Sequence, residues 1–373
     1  MPTSSERNTR RYDFDWLRIF AFLTVFFFHS LHFFDIDDWS VKNHTTYAWI
    51  CGLMNFIAVW MMPLFFLISG ASVFYASCKN NARKFIRDKV SRLLVPLLAG
   101  VFSFSIMQVY LERVSHGQFE GPFLAFIPHY FKGIYLPGST GNFAFHGMHL
   151  WYLLLLFIFT LVLLPLFWWF KRRNGSNFLR KIGDILALPG ALIIVLIPTI
   201  ILQNLTNHGA LAVGGWRIVQ YPWFLVAGYL VSSHEKLQQE IIKTRWVWVG
   251  LIVVLIALSI VRHEAPGTHQ DVLVWPGLFV ILGFGMKYLQ FSNKFLVYST
   301  EAVMPFYILH QNILLLLGFF IVGWDVPDPA KFLIITISTF LMIIALYEYL
   351  IRRYNFLRIL FGMRAIKNSS SQR

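Results

Sequence analysis

Long apolar runs separated by short polar segments make up most of this sequence. A helix needs roughly 20 apolar residues to cross a bilayer, and most of the runs approach or exceed that length. Because an open sheet cannot satisfy its backbone polar groups in lipid, each run predicts a membrane-spanning helix. The pattern thus predicts an all-α, polytopic membrane protein with about ten spans. The ten runs are 17–34, 47–77, 93–110, 150–170, 185–202, 218–231, 246–261, 272–286, 302–322 and 332–351.

The composition agrees with this pattern. Hydrophobic residues make up 57% of the chain and charged residues 13%, whereas an ordinary soluble domain has about 45–50% and about 25%. A soluble enzyme, a disordered chain and a disulfide-rich secreted domain are therefore excluded. The only two cysteines, Cys51 and Cys78, would lie roughly 40 Å apart along the second predicted helix, too far for a disulfide.

The charge is unevenly distributed. The chain carries 32 Lys and Arg against 18 Asp and Glu, a net charge of +14. With the N-terminus in the cytoplasm, 26 of these 32 cations lie in cytoplasmic segments and 6 in outer ones. This asymmetry predicts that both termini are cytoplasmic, and it explains the charge without a nucleic-acid partner. We expect one membrane-embedded domain over residues 1–373, with a basic tail from about 352, and no cleaved signal.

Few ionisable residues fall within the apolar runs. Apart from Arg18 at the cytoplasmic boundary of the first run, they are His29, His32, His310 and Glu348. An ionisable group inside the membrane is a functional candidate by default. The alternative is a hydrogen-bonded residue that packs helices together. His29 and His32 lack cysteine or carboxylate partners at their depth, so we predict no metal site and no tightly bound cofactor.

The first predicted helix aligns three polar side chains. Arg18 and His29 are eleven residues apart, which is three turns plus about 20°, so they share a helix face. Asp15 lies three residues before Arg18 and can pair with it. This face offers a carboxylate and a guanidinium at the entrance and an imidazole at depth. The alternative is an interfacial arginine and an unrelated core histidine.

Three polar side chains from different predicted helices fall at similar depths. Counted from the cytoplasmic ends, His29 lies roughly 18 Å in, Ser69 roughly 12 Å and His310 roughly 13 Å. A shared cavity that opens to the cytoplasm would explain this coincidence. Ser69 with Gly70 can equally be a site where small residues let two helices pack closely.

Two further segments are candidates for substrate binding. His149 and Trp151 open the fourth predicted helix, after a long aromatic, weakly charged segment, 111–148. Such a segment suits a sugar acceptor or mere lipid contact. The basic segment 79–92, with Lys89 and Arg92, could bind phosphates of a nucleotide-bearing substrate, or it could only set topology and contact anionic lipid.

The motifs and their order resemble those of the acyltransferase 3 family of membrane proteins. That family opens with Asp-x-x-Arg, then ten residues, then His, as Asp15, Arg18 and His29 do here. Lys89 departs from the family pattern, in which the basic pair more often starts with Arg. A lysine keeps the charge but loses bidentate phosphate geometry. The other similar stretches are Phe65-Phe-Leu-Ile-Ser69-Gly70, Lys89-Val-Ser-Arg92-Leu-Leu-Val-Pro96, His149-Leu-Trp151-Tyr-Leu, Pro305-Phe-Tyr-Ile-Leu-His310-Gln and Tyr347-Glu348.

This resemblance implies an activity. Family members move acyl groups from cytoplasmic acyl-CoA to acceptors, mostly sugars, on the other side of the membrane. For this chain the resemblance implies an O-acyltransferase of the bacterial inner membrane that transfers an acetyl or succinyl group to a glycan hydroxyl. Within the family, the chain looks closest to the branch that decorates periplasmic glucans with succinyl groups.

The resemblance also implies roles for the candidate residues. His29 would be the general base or would carry the acyl group, and Asp15 would hold Arg18. His310 or Ser69 would orient the acceptor or stabilise the oxyanion. The remaining candidates would bind the substrates: Arg18, Lys89 and Arg92 the phosphates of acyl-CoA, and His149, Trp151 and Glu348 other parts of the donor or acceptor.

A rival interpretation is a proton-coupled secondary transporter of a small solute. Several helices with buried His and Glu would suit proton coupling. The sequence contains no internal inverted repeat and no matched pair of Gly/Pro-broken helices, which weakens this rival. A lipid-organising scaffold would leave the buried histidines unexplained.

Overall fold

The computed structural model describes residues 10–136, 139–207, 219–262 and 270–366. Both termini, including the end of the basic tail, lie outside these ranges, so their predicted cytoplasmic location is not addressed. The described residues are mostly helical, with one isolated β-bridge between Ile134 and Phe143. The α-helices are α1 Tyr12–Leu31, α2 Ala48–Lys79, α3 Ala82–Lys89, α4 Val95–Val101, α5 Phe104–Ser115, α6 Phe123–Tyr130, α7 Trp151–Val162, α8 Leu164–Lys171, α9 Arg173–Leu186, α10 Leu196–Asn207, α11 Gln220–Ser233, α12 Glu235–Val261, α13 Gln270–Tyr288, α14 Lys294–Ile321, α15 Asp328–Leu346 and α16 Asn355–Leu360.

Five of the described helices are long and apolar enough to cross a membrane, namely α1, α2, α12, α14 and α15 with its extension to Ile351. Two bent helix pairs would raise this number to seven, and two shorter apolar helices span Ala191–Leu205 and Val272–Tyr288. The protein is therefore an all-helical, multi-pass membrane protein. The count of ten spans stays a prediction.

Two of the predicted spans are bent. The third breaks after α4, and its two parts, Ala82–Val101 and Phe104–Ser115, meet at 41°. The fourth, which runs over α7 and α8, bends by 50°. A proline in the first turn of α8 explains this second bend, because proline has no N–H to donate to the preceding turn.

The segment after the third predicted span is ordered by a buried arginine. Arg113, at the end of α5, donates to Asn142 Oδ1 at 2.9 Å and to the carbonyls of Ser139 at 3.0 Å and Gly141 at 2.9 Å. Helix α6 packs against α5 through Phe126, which is buried. The sequence predicted only a long connecting segment here. Hydrogen bonds from a guanidinium to backbone carbonyls produce no hydrophobic periodicity, so the sequence pattern does not reveal this order.

The helices form two compact units, each discontinuous in sequence. Unit 1 comprises Met1–Thr24, Gly52–Phe85 and Ile158–Val297. In unit 1, α2 and α11 touch through their backbones at two glycines. A Cβ on Gly70 would lie 2.0 Å from the Leu225 carbonyl oxygen, and one on Gly228 would lie 1.9 Å from that of Leu67. This supports close packing as the reason for the small residue at position 70.

Unit 2 comprises Val25–Cys51, Ile86–Phe157 and Tyr298–Arg373. Phe26 packs edge-on against Phe306 of α14, with ring centroids 5.4 Å apart. Phe33 covers Gly318 so closely that a Cβ there would lie 2.3 Å from its ring. Unit 2 also buries polar side chains from three helices, and these form the candidate site.

Candidate active site

Three imidazole rings gather in unit 2. His29 lies in the last turn of α1, His149 in the short turn before α7, and His310 within α14. The ring centroid of His310 is 5.4 Å from that of His29 and 5.1 Å from that of His149. We call these three residues the histidine cluster. The sequence singled out all three but assigned His149 to a separate binding surface.

His29 lies closer to the end of its helix than the sequence suggested. The apolar run continues to Phe34, but α1 ends at Leu31. The helix ends early because the chain turns to bury the Asp35 carboxylate. His32 Nδ1 lies 2.6 Å from Asp35 Oδ2, and Lys42 Nζ donates to Asp35 Oδ1.

A left-handed turn positions His149. Gly147 has a φ of 77° and Met148 a φ of 54°. Met148 is the one non-glycine residue at positive φ in the described ranges, a strained conformation that clusters at functional sites. The turn brings the His149 ring to the backbone of α14. His149 Nε2 lies 3.2 Å from the carbonyl oxygens of both Tyr307 and Ile308.

Hydrogen bonds determine which nitrogen of His310 carries a proton. His310 Nδ1 lies 2.6 Å from the Tyr307 carbonyl oxygen. A carbonyl oxygen only accepts, so Nδ1 carries the hydrogen and Nε2 is left as an acceptor. His310 is 1% exposed, and its Nε2 is buried without a hydrogen-bond partner among the described residues.

His29 also has a buried ring nitrogen without a partner. Its Nδ1 has no hydrogen bond within the described part of the chain. The Trp39 ring stacks on His29 at 6.0 Å and on His32 at 4.9 Å. Two neighbouring imidazoles thus keep a ring nitrogen for an exogenous group. Such nitrogens can take a proton from a hydroxyl or attack a carbonyl.

Sequence reasoning missed several polar residues around the cluster. Trp39, Asp35 and Lys42 belong to a connecting segment that carried no motif. Gln108 of α5 lies in a predicted apolar span but is fully buried beside His149, with its Nε2 3.1 Å from His149 Nδ1. The usable signal for Gln108 was an uncharged amide within an apolar run.

The predicted pair Asp15 and Arg18 forms in unit 1. Arg18 Nη1 lies 3.4 Å from Asp15 Oδ1, and Arg18 Nη2 donates to Ser72 Oγ at 2.7 Å. Ser72 Oγ in turn donates to the Ile68 carbonyl at 3.0 Å, and Arg10 Nε also reaches Asp15, at 2.8 Å. We call Asp15, Arg18 and Ser72 the arginine site. Its arginine is partly exposed, whereas His149 and His310 of the histidine cluster are buried.

The other predicted residues lie elsewhere in the two units. Ser69 belongs to α2 in unit 1 and is partly buried. Lys89 precedes a π-helical segment, Val90–Leu94, that contains Arg92, and Glu348 lies in a second one, Tyr347–Ile351. Single π-helical turns occur often at functional sites. Glu348 accepts from Arg352 at 3.1 Å, and Trp151 is the first residue of α7.

A cavity of about 1000 Å³ opens within unit 1. Its lining includes the cations Lys171, Arg180, Lys181 and Lys236. None of the residues predicted to bind the donor phosphates lines it.

A group of possible metal ligands lies apart from the histidine cluster. Asp35, Asp37 and Cys51 offer ligand atoms within 4.8 Å of one another. Asp35 already binds His32 and Lys42, which leaves this group a poor metal site. The predicted lack of a metal stays a prediction.

Comparison with known proteins identifies the family. The model of an acyltransferase domain, acyltransferase 3, matches residues 11–348. The chain belongs to the acyltransferase 3 family. This acyltransferase is 25% identical over 395 aligned positions to "Glucans biosynthesis protein C" of Salmonella heidelberg (strain SL476), with 98% of each chain covered. The protein of the same name from Salmonella paratyphi B (strain ATCC BAA-1250 / SPB7) is 24% identical over the same share. No solved structure matches the chain.

Family membership makes the chain an acyltransferase, which confirms the predicted enzyme class. It also favours an enzyme over the transporter and the scaffold. The matched region contains every candidate residue, from Asp15 to Glu348.

Proposed function

We propose that this acyltransferase moves an acetyl or succinyl group from acyl-CoA to a hydroxyl of a glycan outside the cytoplasm. Two observations support the proposal. The relatives are named for glucan biosynthesis, and the histidine cluster contains two buried ring nitrogens without partners. The second observation carries the proposal, because acyl transfer to a hydroxyl requires a group that accepts its proton.

The proposed donor is anionic, and the proposed bacterial inner membrane orientation supplies cations on the cytoplasmic side. Arg18 would bind a donor phosphate, and its contact with Ser72 would hold the guanidinium in place. Lys89 and Arg92 would add positive charge. No cofactor beyond acyl-CoA itself is proposed, and the remaining expected partner is membrane lipid.

The chemistry centres on His29 and His310. A ring nitrogen of His29 takes the proton from the acceptor hydroxyl, and the hydroxyl oxygen attacks the thioester carbonyl. The C–S bond then breaks, the CoA thiolate leaves and a proton returns to it. His310, whose Nε2 is an acceptor, orients the hydroxyl in the bound state by accepting its hydrogen bond, and this one hydrogen passes to His29 as the oxygen attacks.

A two-step route uses the same atoms. The His29 nitrogen attacks the thioester, CoA leaves as its thiolate, and the acyl-imidazole then passes the acyl group to the acceptor hydroxyl, whose proton goes to His310 Nε2. Ser69 stays a proposed oxyanion donor in either route. His149, Trp151 and Glu348 stay proposed substrate-binding residues.

The test is acyl transfer by the purified full-length protein in detergent. Acetyl-CoA and succinyl-CoA are offered separately with a glucan oligosaccharide, and free CoA and the mass of the oligosaccharide are measured. With one of the two donors, we expect each released CoA to be matched by one acyl group added to the mass of the oligosaccharide. The His29→Ala variant should lose at least a hundredfold in kcat.

The matched control is His116→Ala, because His116 is an exposed histidine of the same unit that is outside the cluster. It should retain wild-type turnover. Full turnover by a folded His29→Ala protein would refute the role of His29. A lack of CoA release by the wild type with every donor and acceptor would refute the function.

A further inference from the structure

A buried amide beside the histidine cluster has one unused atom. Gln108 is fully buried and Asn312 is 1% exposed. Gln108 Nε2 donates to Asn312 Oδ1 at 2.7 Å and lies 3.1 Å from His149 Nδ1. Its two amide hydrogens are thereby fully used. Its carbonyl oxygen, Oε1, is buried and has no hydrogen-bond partner in the described ranges.

The orientation of these amides follows from the backbone of α14. Asn312 Nδ2 donates to the Ile308 carbonyl at 2.9 Å, so Asn312 Oδ1 must face Gln108. A flipped Gln108 would put two oxygens against each other, because Oε1 would then meet Asn312 Oδ1. The amide nitrogen of Gln108 therefore points at Asn312 and His149, and Oε1 points elsewhere.

The same bonds fix the state of His149. Its Nε2 faces two backbone carbonyls, which only accept, so Nε2 carries a hydrogen. Its Nδ1 accepts from Gln108 and carries none. His149 is therefore neutral and has both nitrogens occupied, so it has no free ring nitrogen for substrate.

Two buried acceptors thus flank the His149 ring. One is Gln108 Oε1, whose amide nitrogen bonds this ring, and the other is Nε2 of His310, whose ring is 5.1 Å from it. A buried acceptor without a donor is costly, because it has lost its hydrogen bond to water. A ligand that brings two O–H donors would satisfy both.

We propose that Gln108 Oε1 binds a second hydroxyl of the acceptor sugar, next to the hydroxyl that is acylated. The site would then select polyhydroxyl acceptors over simple alcohols. This inference rests on the proposed function, since it deepens the acceptor side of the same site. Asn312 is a positioning residue, because it acts only through the orientation of Gln108.

The test combines altered acceptors with altered protein. Methyl β-glucoside and its four monodeoxy analogues are offered to the wild type with acyl-CoA, and kcat/KM is measured from CoA release. The acylated position is located by NMR of the wild-type product. We expect one analogue that lacks a different hydroxyl to react about tenfold more slowly, since that hydroxyl would have paired with Gln108.

The Gln108→Met variant keeps the side-chain length and removes the oxygen. It should react with this analogue and with the parent glucoside at equal kcat/KM. The ratio of kcat/KM for the parent glucoside to kcat/KM for the analogue therefore falls from about tenfold to about one. Asn312→Ala leaves Oε1 but lets the amide flip, so it should lower the ratio only part of the way towards one. The matched control is His116→Ala, an exposed histidine outside the cluster, which should keep the ratio near tenfold. A purely structural role would lower both rates without changing the ratio.

Other outcomes refute the inference separately from the function. The inference is overturned, with acyl transfer intact, if the ratio of kcat/KM is unchanged in Gln108→Met. It is also overturned if the wild type reacts equally fast with every analogue that keeps the acylated hydroxyl. Should Gln108→Met fail to fold, Gln108→Leu removes the same oxygen and must bring the ratio to about one. A Gln108→Leu protein that keeps the tenfold ratio also overturns it. A wild type that releases no CoA with any acceptor refutes the proposed function instead.

Discussion

The histidine cluster and the arginine site satisfy their polar groups in different ways. Around His149 and His310, the hydrogen bonds are made by buried groups, and two atoms left over, His310 Nε2 and Gln108 Oε1, are acceptors. At the arginine site, the Arg18 side chain is 28% exposed, and it shares Asp15 with Arg10. Water can replace a lost partner at the arginine site but not around His149 and His310. The cluster should therefore control catalytic rate, and the arginine site should control donor affinity.

The largest expected effect is on the cluster. His310→Leu removes the Nε2 acceptor from a buried position with little change in side-chain volume. We expect kcat to fall about a hundredfold, because the acceptor hydroxyl is no longer oriented for transfer of its proton to His29. The KM for acyl-CoA should change little, and a steady-state assay of CoA release measures both constants. A fall in kcat of less than about threefold would mean that His310 does not orient the hydroxyl.

The sequence predicted the members of the cluster but not their bonds. His29 and His310 were found because ionisable residues are rare in apolar runs. His149 was assigned to a surface because it begins a span, and only the left-handed turn at Gly147 and Met148 turns it inward. Gln108 and Asn312 carry no charge, and a neutral amide in an apolar run leaves a weak signal. Tertiary contacts alone reveal them.

Some features of the helices could likewise be predicted from the sequence, and others could not. The long uniform runs of α1, α2 and α14 appear as helices, because hydrophobicity over 20 residues is a strong signal. Their C-terminal ends lie within three residues of the predicted ones, but α14 begins eight residues earlier than predicted. The bends after α4 and α7 were not predicted, since one proline or a two-residue break hardly changes an average. The order imposed by Arg113 depends on bonds to backbone carbonyls, which no sequence pattern encodes.

The second prediction concerns the segment that leads away from His29. Burial of the Asp35 carboxyl acts to raise its pKa, but hydrogen bonds from His32 and Lys42 outweigh this and hold the pKa below 3.8. A carboxyl with a lowered pKa stabilises the fold at neutral pH, and this stabilisation is lost as the pH falls through the lowered pKa. Asp35→Asn should therefore cost about 2 kcal/mol at pH 7.

Thermal unfolding in detergent between pH 3 and pH 7 tests this sign. The wild type should begin to lose its advantage over Asp35→Asn below about pH 4, where Asp35 of the unfolded chain binds a proton before Asp35 of the folded protein does. Asp38→Asn is the control, since Asp38 is exposed and should behave like the wild type. An advantage that grows on acidification would contradict the assignment.

The third prediction tests the arginine site. Arg18→Gln should raise the KM for acyl-CoA about tenfold, the loss of roughly one charge-assisted hydrogen bond, and leave kcat within about twofold. The increase should shrink at high salt, because the exposed charge is screened. Arg10→Gln is the matched control and should have no measurable effect on KM, since surface ion pairs contribute little. If Arg18→Gln changed only kcat, the arginine site would not control donor affinity.

The smallest expected effect tests whether Ser72 holds the Arg18 guanidinium in place. Ser72→Ala removes the acceptor of Arg18 Nη2 but leaves the charge, so the KM for acyl-CoA should rise only about twofold. Ser72 is partly buried, and water can take its place against Arg18. Steady-state kinetics in the Arg18→Gln background give the decisive comparison, because there Ser72→Ala should have no further effect. An additional twofold rise in that background would mean that Ser72 contacts the donor itself. The loss of one neutral hydrogen-bond partner would thus change KM for acyl-CoA about twofold at the arginine site and kcat/KM for the acceptor about tenfold at Gln108. Burial accounts for the difference, because water can replace a partner at the arginine site but not at Gln108.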